Sequence, residues 1–516
     1  MKHKLLLAAL LCATHLPAIA HAQQDSLRLV LASPTQTLDP QRTSSVLSGA
    51  LLRSAFEQLT RVNTQGAIEP LLAESWEVEE GGLSWLVHLR QGVTFHDGTP
   101  FNAEAVVANF THVLDASKPN PSRTNLGSLT GAEAVDEHTV RLRTSKPFSG
   151  LPIALSHTAA SMISPKSIAD GSLESGNQII AGTGPFKLSK FNLPDEVDFE
   201  RNDNYWGEAA KLQRIEARSR SDDQTRLAAF LSGEADLDLY LTPESRARAE
   251  GDPNIEITTL PSIRLFILHL PMGLPEMEDQ RVRRALNLAI DRNQIIETLY
   301  QGTARPADNA MGPGVFGYEA LEPYGYDPAG ASALLAEAGW EKNEAGVLMR
   351  DGKPFPTIPL LASRGRQPGD ARLAQIIAGY LQEIGVPTSL QIDEFATFFA
   401  AAQAESKVGG KFVQMAWGFP QMDGAALLCS VYLPGNAYNF GNYQNAAVTD
   451  ACATLNEAFD PEERARLIAD TVKMVYEDAP AVFLVSPSYL VGQRKGLAGL
   501  ALSSGEGHIF SGAYWK

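Results

Sequence analysis

Ten histidines and three cysteines carry most of the metal and nucleophilic potential of this 516-residue chain, and their spacing argues against both uses. Beyond the N-terminal segment the histidines stand at 88, 96, 112, 138, 157, 269 and 508. No two are three or four residues apart, so no helical face presents a local metal pair, and each reads as a structural or surface histidine. Cys429 and Cys452 have no histidine near them and no zinc-ligand spacing. The nucleophile elbow G-x-S-x-G, the phosphate loop G-x-x-x-x-G-K-[ST] and the zinc motif H-E-x-x-H are all missing. The expectation is a protein without catalytic residues, metal ligands or cofactor. Its chemistry would then be recognition.

Composition agrees. The chain is 44% hydrophobic and 20% charged, an ordinary globular balance for two or three domains. The formal charge is −17, and no basic run offers a face to nucleic acid or to an anionic membrane. Residues 1–22 read as a secretory signal: Lys2 to Lys4 is a basic start, Leu5 to Ala13 an apolar run too short to span a membrane, and Ala20-His21-Ala22 a small-x-small cleavage pattern. Cys12 follows Leu11, which is not small, so a lipid anchor is disfavoured and the mature chain would begin at Gln23. In an exported compartment Cys429 and Cys452 could form a disulfide or stay as two buried thiols, and the sequence leaves both open.

The elements that would position a binding site alternate between the two periods. Leu27 to Leu31 is strand-like; Val46, Ala50, Leu51 and Ala55 put a helix over 45–59. Trp76–Val78 and Leu83–Leu89 form a hairpin across Gly81-Gly82, and Val140-Arg141-Leu142 is a further strand. Asn102 caps a helix whose apolar face is Val106, Val107, Phe110, Val113 and Leu114. Residues 280–299 read as one helix. Others start at Asp327-Pro328 and Asp460-Pro461, and one around Leu373 to Ile384 stops at Gly385. Ala481 to Val491 reads as one buried strand. The class is mixed α/β, with two lobes that share strands.

Several segments, in order, resemble the large solute-binding family of bacterial peptide and nickel ABC importers. They are Leu38-Asp39-Pro40, Glu69-Pro70-Leu71-Leu72-Ala73-Glu74-Ser75-Trp76, and Phe95-His96-Asp97-Gly98-Thr99-Pro100-Phe101-Asn102. Gly182-Thr183-Gly184-Pro185-Phe186, Arg201-Asn202-Asp203-Asn204-Tyr205-Trp206-Gly207, Arg284 to Asp291, and Tyr326-Asp327-Pro328 to Trp340 complete the match across the mature chain. The resemblance implies a two-lobe periplasmic binding protein of type II, large cluster, with discontinuous lobes and a hinge-closed ligand cleft. Lobe I would hold 23–264 plus 493–516, and lobe II 265–492. The partners implied are a small solute and ABC permease subunits in the inner membrane; the protein would act as a periplasmic monomer.

The resemblance also implies site residues. Trp417-Gly418-Phe419-Pro420 is similar to the tryptophan segment that enters the cleft, where an indole gives a broad rigid contact. In the dipeptide-binding type an arginine of the second lobe holds the peptide carboxylate, a position that falls on Arg364, with Arg366 as its neighbour; an aspartate after the tryptophan holds the ammonium, which falls on Asp423. Nickel-type proteins have tyrosine and then histidine after the tryptophan, where this chain has Gln421-Met422-Asp423-Gly424, and of their pocket arginines only Arg123 lies near. The expected ligand contacts are therefore Arg364, Trp417, Gln421 and Asp423. Short peptides or peptide-like solutes are the expected ligands, with a nickel or other metal chelate as the alternative.

Overall fold

The computed structural model describes residues 25–516 except 44, 65, 119, 121, 177, 365, 366, 368, 419–421 and 506; the signal reading, Gln421 and Arg366 lie outside the described residues. Three sheets organise the chain. The largest has seven strands, in the order Ile255–Leu260, Tyr489–Arg494, Leu237–Asp238, Ser26–Leu31, Arg214–Ser219, Glu196–Arg201, Phe186–Asn192. Ser26–Leu31 runs parallel to both its neighbours, and the outer pairs are antiparallel. A four-stranded antiparallel sheet carries the predicted hairpin, Ala73–Glu79 with Ser84–Leu89. The helix Ala103–Leu114 packs beside it, begun by the Asn102 side chain accepting from the Ala105 N–H, and buries Val106, Phe110 and Val113.

The third sheet has five strands: Thr388–Glu394, Ile358–Arg364, Phe412–Trp417, Leu265–His269 and Ala481–Phe483. Every residue of Leu265–His269 is buried, because alternate side chains enter two different cores. Leu265 and Ile267 join one cluster, Phe266 and Leu268 the other.

The chain passes twice between the seven- and five-stranded sheets. The first passage is residues 261–264. The second is where the sequence suggests one strand: residues 481–491 instead form three, Ala481–Phe483 in the five-stranded sheet, Val485–Pro487 paired with Ala304–Pro306, and Tyr489–Arg494 in the seven-stranded sheet. Apolar content alone does not say which sheet a residue joins. The passages touch, Ser486 Oγ donating to the Ser262 carbonyl at 3.1 Å and Arg264 Nε to Tyr489 Oη at 3.1 Å.

Two helices are shorter than their periodicity suggests. Residues 280–299 split into Gln280–Leu288 and Arg292–Leu299, because Asp291 accepts from the Gln294 N–H and starts a new helix. Arg292 then donates to the Asn287 and Ile290 carbonyls, which the break leaves without helical partners. The first helix is only Val46–Leu52, and Arg53 is its C-cap. Helices Pro328–Glu337, Asp370–Glu383 and Pro461–Asp478 fall where expected, the first and last started by Asp327 and Asp460 with proline in the first turn.

Candidate functional site

The turn that follows Val46–Leu52, residues 53–55, is strapped from behind by the family-like motifs. The Gly184 N–H donates to the Ala55 carbonyl and the Phe186 N–H to the Ser54 carbonyl, each at 3.0 Å. A Cβ on Gly182 would stand 2.0 Å from the Ala55 oxygen, and one on Gly184 2.5 Å from the Ser54 oxygen, so both positions need glycine for the close approach. His96 holds the same turn: its Nδ1 accepts from the Gly182 N–H at 3.2 Å, so the Nε2 proton donates to the Gly184 carbonyl at 3.0 Å. That histidine is a neutral turn residue, lowered to about 4 by burial. The aromatics of the Asn204–Gly207 motif serve the strap with their polar ends. Tyr205 Oη, Trp206 Nε1 and Thr183 Oγ1 donate to the carboxyl of buried Glu57 at 2.7, 2.9 and 2.8 Å. Burial pushes Glu57 up, against the pull of these three bonds.

In front of this strap lies a cavity of about 540 Å³. One wall comes from the N-terminal half: Thr43, Ser45, Gly49, Arg53, Thr124, Asn125, His157 and Thr158. The opposite wall is Arg264, Met415 to Gly418, Ser430 and Asn436 to Tyr438, and Gly505 and Gly507 of the C-terminal tail close one edge. The cavity thus sits between the two large sheets, beside the passage that carries Arg264. Among the described residues no aspartate, glutamate or cysteine lines it, and no cluster of three potential metal ligands occurs anywhere.

The three described candidates are not brought together. Trp417 ends its strand on the cavity wall with 8% of its surface exposed, and it is also a core residue. Its Nε1–H donates to His269 Nε2 at 2.9 Å, and its ring lies 5.4 Å from those of both Tyr438 and Phe440. His269 must accept there, and burial keeps it neutral, lowered to about 3. Asp423 lies outside the cavity lining. It caps the helix Gly424–Val431, and Arg464 Nη1 and Nη2 donate to its two oxygens at 2.8 and 2.9 Å in a buried pair. A carboxylate so engaged has no edge to offer a ligand ammonium. Arg364 also lies outside the lining: its Nε donates to Glu394 Oε1 at 2.8 Å, and 57% of its side chain is in water.

Arg53 and His157 escape sequence reasoning. Burial lowers the Arg53 guanidinium to about 10. The His157 Nδ1 accepts from the Ala159 N–H, which leaves the proton on Nε2; burial and the Arg53 charge lower its pKa to about 3. No motif surrounds either residue. The Cys429–Cys452 question is settled by a disulfide, which ties Gly424–Val431 to Ala446–Glu457.

Two lobes linked by two adjacent passages, with the cavity between them, define a binding protein that holds its ligand in an interlobe cleft. The chain belongs to the bacterial extracellular solute-binding proteins, family 5, whose profile matches residues 67–439. It is 30% identical over 525 residues to the glutathione-binding protein GsiB of Escherichia coli O1:K1 / APEC, covering 99% of this chain and 98% of that one. Among solved structures it is similar to NikA from Brucella suis in complex with Fe(III)-EDTA, at 26% identity and a TM-score of 0.83 over 95% of this chain and 100% of that one. HbpA2 from Haemophilus parasuis is similar at 25% identity and a TM-score of 0.82, again over 95% and 100%. The family's members are solute-binding proteins rather than enzymes, and they serve ABC importers of peptides or metal chelates.

Proposed function

We propose that this chain is the periplasmic component of an ABC importer that takes up short peptides or peptide-like solutes, glutathione among them. The observation that carries this reading is the cavity. Trp417 and Tyr438 give it an apolar wall, and arginines, a neutral histidine and small polar side chains give it donors. That lining suits a compact ligand with several carbonyl and carboxylate oxygens. The GsiB relative supports glutathione as the first ligand to try.

The first lobe holds 23–264 with the C-terminal tail and the second begins at 265; the pairing of Tyr489–Arg494 with the seven-stranded sheet favours ending the second lobe just before that strand rather than at 492. Residues 1–22 direct export and are removed. The liganded, closed monomer docks on the permease subunits and does no chemistry on its cargo. Trp417 is the contact wall. Asp423 acts at one remove, through Arg464, by fixing the helix that follows that wall. Arg364 stands apart, at the exposed end of its strand.

A second reading is a metal chelate held through the chelator's carboxylates, favoured by the likeness to NikA with Fe(III)-EDTA. Native mass spectrometry of protein purified from its own periplasm, with elemental analysis, separates the two. A co-purified peptide at one per chain is expected; a stoichiometric metal without peptide overturns the peptide reading. Turnover of glutathione by the purified protein would overturn the non-enzymatic assignment.

A further inference from the structure

Arg53 is a cation in the wrong place for a structural residue. Among the described residues its guanidinium makes one hydrogen bond, Nη2 donating to the Ser156 carbonyl at 3.0 Å, and it forms no ion pair with a carboxylate. Arg53 lines the cavity, with Gly507 against Nη1: a Cβ there would stand 3.5 Å away. Even a half-buried charge without a counter-ion weakens a fold. Yet the backbone on both sides of Arg53 is hydrogen-bonded, to the Gly182–Phe186 strap behind it and within the helix before it. His157 stands on the same wall with its Nε2–H unused by the described residues. Thr158 and Thr124 border it.

We propose that Arg53 and the His157 Nε2–H form a carboxylate subsite on the first-lobe wall, and that the solute imported by this protein carries an acidic end that enters there. The inference rests on the binding-protein reading above and specifies which end of the ligand meets which lobe. A guanidinium matches a carboxylate in shape and charge, and a neutral imidazole adds a donor without adding a proton to be lost. The ligand supplies a counter-charge that none of the described residues gives Arg53. Arg264 across the cavity already engages Tyr489 and belongs to the hinge, so the anchor on the rigid wall is Arg53.

The test is calorimetry with glutathione and its diethyl ester on wild type, Arg53→Met and Arg53→Lys. Arg53→Met should weaken glutathione by about ten- to a hundredfold. Its unliganded Tm should hold or rise, because a half-buried cation without a described counter-ion has gone. Arg53→Lys, which keeps the charge and loses the planar fork, should fall between. Esterification should cost wild type heavily and Arg53→Met little, since the ester and the substitution remove the same contact. Equal losses on esterification in both proteins, or a drop in unliganded Tm with unchanged affinity, overturns the subsite. A peptide-independent arm uses sodium glutarate against sodium chloride at matched ionic strength: glutarate should raise the Tm of wild type and not of Arg53→Met. If glutathione does not bind but the glutarate effect stands, the glutathione assignment falls and the subsite remains. If glutathione binds all three proteins alike, the subsite falls and the binding-protein reading remains. If neither probe distinguishes the proteins, the subsite is overturned.

Discussion

Arg53 and Arg364 present the same guanidinium in opposite settings. Arg53 ends a short buried helix, is backed by a glycine turn pressed against its own carbonyl neighbours, and faces a cavity with no described carboxylate on its walls. Arg364 ends the strand Ile358–Arg364 in water, and Glu394 on the neighbouring strand raises its pKa by a hydrogen bond and by charge. A third arginine, Arg464, is buried where Arg53 is only half-buried, and it is neutralised bidentately by Asp423. An arginine in water already has solvent and a neighbour; a buried, paired one has its partner; a half-buried one that lines a cavity without a described carboxylate has binding energy left for a ligand. Exposure and pairing, rather than residue type, sort the three.

The contrast predicts effects of very different size. Arg464→Ala should be the most damaging, because it leaves the Asp423 carboxylate buried without its partner; a loss of about 3–5 kcal/mol is expected, read as the fall in denaturant midpoint. If that variant is as stable as Arg53→Met, burial without pairing is not what distinguishes the two sites. Gly182→Ala comes next. Its Cβ would meet the Ala55 oxygen at 2.0 Å, so the strap must shift, at about 3 kcal/mol, the upper part of the usual overpacking range. Both stability and glutathione affinity should fall, since the same strap aims Arg53. Retained affinity in a destabilised protein would show that the strap supports the fold alone.

Acid should loosen the same region. His96, His157 and His269 are held neutral in the fold, at about 4, 3 and 3, against 6.5 for the free side chain. Below pH 6.5 the unfolded chain therefore binds more protons than the folded one. The stability they contribute is fully present above pH 6.5 and is lost as pH falls towards 4, at up to about 1.4 kcal/mol per pH unit per histidine. A Tm-against-pH series should show the decline, and His96→Gln should flatten it. An unchanged slope in the variant would mean His96 is protonated in the fold. The smallest effect is expected at the surface. Arg364→Ala should leave the Tm within a degree or so and glutathione affinity within about twofold, as exposed pairs contribute little. A tenfold loss of affinity would place the carboxylate anchor on Arg364 and reverse the comparison.

Much of the architecture was legible in the residues. Asn102, Asp327 and Asp460 announce helices because a side-chain oxygen capping a free N–H is a local interaction, written in adjacent residues. The His96–Thr99 and Gly182–Phe186 motifs marked turns and a family, and the family implied a cleft with Trp417 on its wall. The break at Asp291 and the three-sheet path of residues 481–491 were not legible: an apolar period says that a side chain is buried, and not against what.

Local hydrogen bonding and hydrophobic period, which act over a few residues, let the sequence alone determine the α/β class, several helix starts and the turns behind the site. The tertiary structure decided which arginine matters. Around Arg53 the chain reads Leu51-Leu52-Arg53-Ser54-Ala55, with nothing to distinguish it from an arginine at the end of any surface helix. Around Asp423 nothing indicates that Arg464, forty-one residues on, takes both its oxygens. Desolvation and charge pairing depend on what packs against a group from distant parts of the chain, so those two properties, and with them the ligand's anchor, exist only once the lobes and the passages between them are built.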